Sequence, residues 1–302
     1  MSADETRDSP VKDQDARRAK RPFSKLRWLL IGLFFVNVVL VVASANLIRS
    51  GFIAPGANCG MLLLVLAGLH STERYGFKNT AIFFAITEVV TLFFEALSIQ
   101  TGYPFGLYHY TIPSVITSQS ILFQELFQVP FVIILAYFIF GYFSWMLSHV
   151  LTGQYSKKLK GKWTVVVPFI AAFLMLMLDL SLDPFWSTGL SLWVWASPGA
   201  FFGVPIQNFG GWFLVVFIFY QLFALYLSKY DRIKPQKVNT LTSKPFWYEA
   251  AVVYGLMGLG ITLIPITIYN DITVSMALVA VFTVIFVAII SFITITNNYE
   301  LR

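Results

Sequence analysis

Residues 274–295 read VSMALVAVFTVIFVAIISFITI, a run without one charged side chain. A helix that crosses a bilayer needs about 20 predominantly apolar residues, so this stretch predicts a transmembrane helix. Seven further segments meet the same requirement. The eight predicted spans are 28–48, 52–70, 77–99, 126–151, 163–182, 207–228, 246–268 and 274–295. The sequence therefore predicts an all-α fold, a polytopic membrane bundle of about eight transmembrane helices.

The composition of the whole chain also indicates a membrane protein. Of its 302 residues, 57% are hydrophobic and only 12% are charged, whereas a soluble globular domain carries about 25% charged residues. This excludes an ordinary water-soluble enzyme. An aromatic content of 17% excludes a disordered chain. The single cysteine, Cys59, permits no internal disulfide.

Lysine and arginine residues are concentrated in alternate connections between the predicted spans. The N-terminal tail and the connections 71–78, 152–162 and 229–245 hold almost all of them, and the connections 100–125 and 183–206 hold none. Positive residues remain on the cytoplasmic side, so both termini are predicted to be cytoplasmic. The net charge of +6 follows from this topology, and no nucleic-acid partner is expected.

These features divide the chain into two parts. Residues 1–27 are predicted to form a disordered cytoplasmic tail, because acidic and basic side chains alternate there without an apolar pattern. Residues 28–302 are predicted to form a single transmembrane domain in the lipid bilayer of the cell membrane.

Carboxyl groups within the predicted spans are the main candidates for a site, because ionisable groups are costly in hydrocarbon and usually mark function. Glu88 and Glu95 lie two helical turns apart, on one face of a helix and about 10 Å apart along its axis. Asp179 and Asp183 share a face at a spacing of four residues. Glu95 and both aspartates are predicted at the non-cytoplasmic end, where they could line one cavity. Glu249 lies near a basic connection and is interpreted as a boundary residue.

The two connections without basic residues contain unusual clusters of aromatic, glycine and proline residues. The first includes TGYPFGLYHY at 101–110, and the second runs from DPFW at 183–186 to GVPIQNFGGW at 203–212. Aromatic residues are usual at a membrane interface, but glycine and proline instead fix a backbone shape. Two shaped loops on one side of the membrane predict a lid over a site.

Several chemistries are excluded by the residues present. The histidines His70, His109 and His149 are too far apart for the paired clusters of a di-iron hydroxylase. No lysine lies at membrane depth to form a Schiff base, and no glycine-rich nucleotide loop occurs. Asp179 and Asp183 match the D-x-x-x-D spacing of prenyltransferases, but no basic residue adjoins them to neutralise a diphosphate. We therefore expect no metal and no cofactor.

The remaining possibility is an uncharged, lipid-soluble substrate that is handled by carboxyl groups among aromatic rings. One buried carboxyl can stay protonated while its neighbour stays ionised. A proton delivered to a trisubstituted double bond leaves a tertiary carbocation, which tyrosine and tryptophan faces stabilise. Water activated by the second carboxylate can capture this cation. The predicted net reaction is hydration without a redox cofactor.

Three motifs carry a resemblance to a known family: EALSIQTGYPFGLYHY at 95–110, DLSLDP at 179–184 and GVPIQNFGGW at 203–212. Over residues 45–270 the chain resembles the carotenoid-biosynthesis membrane family that contains the CruF-type carotenoid hydratases, including bisanhydrobacterioruberin hydratase. The resemblance implies addition of water to the terminal double bond of an acyclic (ψ) end group, giving a tertiary alcohol. The implied substrate is a lycopene-, γ-carotene- or bisanhydrobacterioruberin-like carotenoid, and other carotenoid enzymes are possible partners.

The family motif covers most of the candidate site residues. Its positions fall on Glu95, Gly102, Pro104, Gly106, Tyr108, Tyr110, Asp179, Asp183, Pro184, Trp195, Gly203, Pro205, Asn208 and Trp212. We predict Asp183 or Asp179 as the general acid and Glu95 as the residue that orients or deprotonates water. The tyrosines and tryptophans would shape the cavity, and Asn208 would hold the water.

Two features depart from the motif. Glu88 lies outside it and is included as a substrate-binding candidate from helical spacing alone. The Gly210-Gly211 pair stands where the family has a single glycine.

Two other functions remain open at this point. A lycopene-type cyclase begins with the same protonation and differs in what captures the cation. A proton-coupled transporter or pigment-binding membrane protein would use the same intramembrane acids without forming a new product.

Overall fold

The computed structural model describes residues 24–43, 54–111, 124–155, 157–231 and 240–301. These residues form eight helices: α1 Ser24–Ala43, α2 Ala54–Tyr75, α3 Phe77–Thr101, α4 Phe131–Thr152, α5 Trp163–Pro184, α6 Ile206–Tyr230, α7 Lys244–Leu263 and α8 Asp271–Asn297. A π-helical turn, Phe185–Gly189, extends α5, and another, Val281–Ile285, lies within α8. A 3-10 turn, Ile264–Ile266, follows α7. The predicted helical membrane bundle is confirmed.

The predicted disordered tail, 1–27, falls mainly on residues outside the described part of the chain. The described part begins with α1 at Ser24, so the last four residues assigned to the tail are helical. Among the described residues, six helices, α3 to α8, are long and apolar enough to cross a membrane. The chain is therefore a multi-pass membrane protein.

Four short strands lie in the connections that carry no basic residue. They are β1 Tyr108–Tyr110, β2 Glu125–Leu126, β3 Val129–Pro130 and β4 Trp193–Trp195. β1 pairs with β4 and β2 pairs with β3, both antiparallel. The β2–β3 hairpin corrects the predicted start of the fourth span at residue 126, because α4 begins only at Phe131. Pro130 holds an extended backbone there, and its missing N–H and fixed φ suit the position just before a helix.

Aromatic side chains fill the centre of the bundle. The rings of Phe83, Tyr142, Trp145, Tyr220 and Phe223 come from α3, α4 and α6, and all are fully buried. Trp145 and Tyr220 stack at 5.5 Å, and Phe83 lies 4.5 Å from Phe223. Burial of rings of this size dominates the energetics of a core. This core holds α3, α4 and α6 together, and these helices carry part of the site described below.

The basic connections and the C-terminus lie together at one end of the bundle. Lys157 Nζ lies 3.3 Å from Glu300 Oε1, Lys158 Nζ donates to the carbonyl of Lys229 at 3.2 Å, and Lys244 Nζ donates to that of Thr296 at 2.6 Å. The charge pattern predicts this clustering. That this end faces the cytoplasm stays a prediction.

The same end contains a buried ionic cluster that ties α1 to α2 and α7. Arg27, fully buried, donates from Nε to Glu249 Oε2 at 2.5 Å and also binds Glu73. His70 Nε2 lies 3.9 Å from Glu249 Oε2. The interpretation of Glu249 as a boundary residue is therefore wrong, because its side chain is 1% exposed and paired with a guanidinium from a distant helix. No local sequence pattern indicates that Arg27 pairs with Glu249.

Candidate active site

Glu95, at the non-basic end of α3, is the centre of a hydrogen-bonded cluster of tyrosines. The carboxylate is 4% exposed. Its Oε2 accepts hydrogen bonds from the hydroxyls of Tyr108 and of Tyr110, the latter at 3.1 Å. Its Oε1 accepts one from the Tyr137 hydroxyl at 2.7 Å. Three donors from a strand and a neighbouring helix therefore satisfy one buried carboxylate.

The turn after α3 brings Tyr108 and Tyr110 back to Glu95. Gly102 ends the helix with φ +78°, and Gly106 follows at φ +114°, backbone angles that other residues rarely adopt. Ser98 fixes the turn, since its Oγ donates to the Gly106 carbonyl at 2.9 Å and accepts from the Phe105 N–H at 3.1 Å. The chain thus reverses, and β1 runs beside the end of its own helix.

The β1–β4 ladder places four aromatic rings in two facing pairs. Tyr108 lies opposite Trp195, and Tyr110 lies opposite Trp193. The ring centroids are 5.0 Å and 6.0 Å apart, respectively. Side chains two residues apart in a strand share a face, so all four rings lie on the face that meets Glu95. Trp195 Nε1 is buried and has no hydrogen-bond partner among the described residues.

Burial raises the pKa of the Tyr108 and Tyr110 hydroxyls well above the ordinary tyrosine value, and the nearby Glu95 carboxylate raises it further. Asp183 also contributes to the shift at Tyr110. An ordinary tyrosine ionises near pH 10. Both hydroxyls therefore remain protonated donors at any physiological pH.

Asp179 and Asp183 form a second cluster at the end of α5. Asn208 Nδ2 donates to Asp183 Oδ2 at 2.5 Å and lies 3.4 Å from Asp179 Oδ2. Trp193 Nε1 donates to Asp183 Oδ1 at 3.1 Å. Both aspartates are buried. The two carboxyl groups therefore share one amide donor in a water-poor setting.

The loop after α5 positions these donors. Pro184 continues directly into the π-helical turn, where Ser187 Oγ donates to the Asp183 carbonyl at 2.7 Å. Gly203 has φ +87°, and a Cβ there would lie 2.5 Å from Thr188 Oγ1. Pro205 is extended and begins α6, which places Asn208 in the first turn of that helix.

Close packing requires glycine at one position of the Gly210-Gly211 pair in α6. A Cβ on Gly211 would lie 2.8 Å from both the Pro104 carbonyl oxygen and Phe105 Cδ1, whereas a Cβ on Gly210 would meet nothing within 4 Å. Gly211 is therefore the position that needs glycine, and the departure from the family pattern falls on an open site. Pro104 and Gly211 bring the turn after α3 against α6.

Two aromatic bridges join the Glu95 cluster to the aspartate cluster. The Tyr137 ring stacks on Trp212 at 4.4 Å and 11°, and Trp212 lies one helical turn after Asn208. On the other side, Tyr110 contacts both Glu95 and the ring of Trp193, whose indole N–H binds Asp183. Through these contacts the structure links Glu95 on α3 with Asp183 on α5.

Glu88 is the one predicted site residue that the structure does not join to these clusters. It lies in an apolar groove between α3 and α4, and its Oε1 is buried without a partner among the described residues. Sequence reasoning missed Tyr137 and Trp193. Tyr137 lies in an uninterrupted apolar helix, and the only sequence signal for it was a hydroxyl group within a predicted span. Trp193 lies in the aromatic-rich connection 183–206 but is not one of the family motif positions.

The side chains around the three acids also determine which ligands the site can hold. Within the described ranges, no three His, Cys, Asp or Glu side chains come close enough together to hold a metal ion. The groups around the acids are hydroxyl, amide and indole donors. Such a site can hold a proton, orient water and surround a cation with π faces.

These features define a multi-pass helical membrane protein with a buried acid and aromatic site at one end of the bundle. The model of the carotenoid biosynthesis protein family matches residues 56–292. The chain therefore belongs to the carotenoid biosynthesis protein family. No curated protein and no solved structure matches the chain.

Proposed function

We propose that the protein is a carotenoid hydratase, which adds water to the terminal double bond of an acyclic (ψ) end group and forms a tertiary alcohol. The observation that carries this proposal is the presence of two acid clusters on either side of four aromatic rings. In one cluster Glu95 accepts hydrogen bonds from three tyrosine hydroxyls, and in the other Asp179 and Asp183 share one amide donor. Membership of the carotenoid biosynthesis family supports the substrate class.

The two clusters suit different steps of the reaction. Like charges held close together oppose each other's ionisation, so two carboxyls that share Asn208 favour one proton between them. Glu95 accepts three hydrogen bonds, an arrangement that stabilises a carboxylate. We therefore assign the general acid to the Asp179–Asp183 pair and the general base to Glu95.

In the proposed reaction the aspartate pair gives its proton to the less substituted alkene carbon. The π electrons form the new C–H bond, and a tertiary cation remains on the neighbouring carbon. Water attacks that carbon and forms the C–O bond, and its surplus proton passes to Glu95. Exchange with water returns the proton to the aspartate pair, so one water is consumed and no electrons are gained or lost. A positioned proton donor contributes typically about 10²–10⁴-fold to such a step.

The aromatic face supports this cation and its capture. Rings of tyrosine and tryptophan attract a cation through their faces, and Tyr108, Tyr110, Trp193 and Trp195 lie together beside Glu95. The unpartnered Trp195 N–H is the donor best suited to hold the attacking water. A lining with this many hydrogen-bonding groups favours water over a second alkene as the nucleophile, and so favours hydration over cyclisation.

The test is pigment chromatography in a lycopene-producing host. The wild type should give a more polar, hydroxylated pigment, whereas Glu95→Gln, Asp179→Asn and Asp183→Asn should not. Glu300→Gln, at an exposed residue in the basic end, is the matched control and should behave as the wild type. An apolar cyclic product would identify a cyclase instead. Unchanged pigments with altered pigment retention in Asp183→Asn would identify a transporter or pigment-binding protein.

We further propose that the protein resides in the plasma membrane and takes its substrate from the bilayer. The substrate class is a lycopene-, γ-carotene- or bisanhydrobacterioruberin-like carotenoid. Fractionation of membranes from the native host, followed by detection of the protein, checks the location.

A further inference from the structure

An apolar groove opens beside the active site between α3 and α4. Its volume is about 440 Å³, and its lining includes Glu88, Leu92, Phe131 and Ile134. Leu92 lies less than one turn before Glu95 in α3, and Ile134 lies less than one turn before Tyr137 in α4. The β2–β3 hairpin closes the outer end through Leu126. This groove therefore ends within one helical turn of Glu95 on α3 and of Tyr137 on α4.

A second groove continues the first toward the basic end of the bundle. It lies between α2 and α3, has a volume of about 590 Å³, and shares Phe84 with the first groove. Phe138 of α4 lines it and packs edge-on against Phe84 at 5.1 Å. Its lining also includes Gly68 and Phe77. Phe84 and its contact with Phe138 therefore lie between the two grooves.

Both grooves follow one stripe along α3. Phe77, Ala81, Phe84, Glu88 and Glu95 recur at spacings of four, three, four and seven residues, which is one face of a helix. The rise from Phe77 to Glu95 is about 27 Å, close to the thickness of the hydrocarbon core. In the most apolar part of α3 only 28% of the residues are buried within the protein, the smallest share among the described spanning helices. Phe77 and Ala81 are exposed, and Phe84 and Glu88 are half-buried, so most of this stripe is open to the bilayer.

The end of this path farthest from Glu95 holds polar atoms without partners. Thr80 Oγ1 and Glu73 Oε1 are buried and have no hydrogen-bond partner among the described residues, although both side chains line the second groove. Glu73 binds Arg27 through its other oxygen, Oε2. Buried polar atoms without partners are rare and costly, so a polar group at this end of the path would find two unused hydrogen-bonding atoms.

We propose that the two grooves form one binding path for the conjugated chain of an acyclic carotenoid, with the reacting end at Glu95 and the opposite end at Thr80 and Glu73. This inference rests on the proposed function and specifies how its substrate lies. A thin, rigid polyene can pass the Phe84–Phe138 contact and span the bilayer beside α3. A phospholipid would keep its polar end at the headgroups, whereas the proposed ligand places its reacting alkene end at Glu95.

The first test blocks the path away from the acids. A Cβ on Gly68 would meet nothing within 4 Å, so Gly68→Leu fills the second groove without a backbone conflict. Gly32→Leu is the matched control, because Gly32 has the same free space and lies on α1 outside both grooves. The measurement is lycopene retained per protein after purification of the full chain in detergent. Gly68→Leu should retain at least ten-fold less than the wild type and Gly32→Leu.

Glu95→Gln separates this inference from the proposed function. It should retain lycopene within about two-fold of the wild type while forming no product, because only the chemistry is removed. Conversion of lycopene by Glu95→Gln would overturn the proposed function and leave the path intact. Wild-type retention and conversion by Gly68→Leu would overturn the path alone. Retention of phospholipid but no lycopene by the wild type would also overturn the path.

The second test addresses the far end. An acyclic carotenoid with a hydroxyl at one end should bind the wild type several-fold more tightly than lycopene, since its hydroxyl reaches Thr80 and Glu73. Thr80→Val keeps the side-chain shape, removes the hydroxyl and should reduce this preference for the hydroxylated carotenoid over lycopene. Equal binding of both carotenoids to the wild type would contradict the placement of the far end.

Discussion

Replacing Tyr137 by phenylalanine removes one hydroxyl from the proposed catalytic centre around Glu95 and keeps the ring that stacks on Trp212 at 4.4 Å. That hydroxyl donates to Glu95 Oε1 at 2.7 Å and is the only donor to that oxygen among the described residues. A hydrogen bond to a charged group contributes about 1.5–3 kcal/mol. If this interaction is needed in the transition state, kcat should fall roughly 10- to 150-fold, because about 1.4 kcal/mol corresponds to a factor of ten.

The assay is conversion of lycopene by purified protein in nanodiscs, with kcat and KM measured by chromatography. Tyr254→Phe is the matched control, because this buried tyrosine donates to the carbonyl of Leu174 at 2.7 Å and contacts none of the three acids. Tyr254→Phe should lower the unfolding temperature but leave kcat near that of the wild type. A kcat for Tyr137→Phe within about three-fold of Tyr254→Phe would refute the role of Glu95 as the positioned base.

Three further predictions address packing, charge and pH. Gly211→Ala should destabilise the protein by about 1–3 kcal/mol through overpacking, whereas Gly210→Ala should leave the unfolding temperature in detergent unchanged or raised; equal effects would contradict the packing described. Arg27→Met should cost about 3–5 kcal/mol because it removes the guanidinium that pairs with two buried carboxylates, whereas Lys157→Met, at an exposed pair, should cost less than about 1 kcal/mol. The raised pKa of Tyr108 keeps its hydroxyl protonated, so kcat/KM should not fall through ionisation of this tyrosine up to about pH 10. A fall in kcat/KM below about pH 10 that occurs in the wild type and is absent from Tyr108→Phe would disprove this prediction.

The helices could be predicted from the sequence because apolar runs of bilayer length leave few alternatives. The predicted start of the fourth span at residue 126 was wrong, because the apolar side chains Leu126, Phe127 and Val129 of the hairpin resemble the start of a span. The interpretation of Glu249 as a boundary residue was wrong for a different reason. Its partner Arg27 is 222 positions away, and no local pattern reveals a pairing at that distance.

The candidate site was partly predictable for similar reasons. Glu95, Asp179 and Asp183 stood out because carboxyls are rare in spans, and glycine and proline marked the turns that carry Tyr108 and Asn208. Tyr137 did not stand out, since a tyrosine in an apolar helix usually packs as a hydrophobic residue. Glu88 shares the stripe of Glu95, as its spacing predicts. A shared stripe does not fix the distance to other helices, and Glu88 faces the groove.

The source of the new oxygen tests the proposed chemistry most directly. Lycopene is incubated with the purified protein in water enriched in oxygen-18 and without dioxygen, and the product is analysed by mass spectrometry. Acid-catalysed hydration predicts a hydroxylated product whose new oxygen carries the label at the enrichment of the water. A product that forms only with dioxygen, or a hydroxyl without the label, would contradict it.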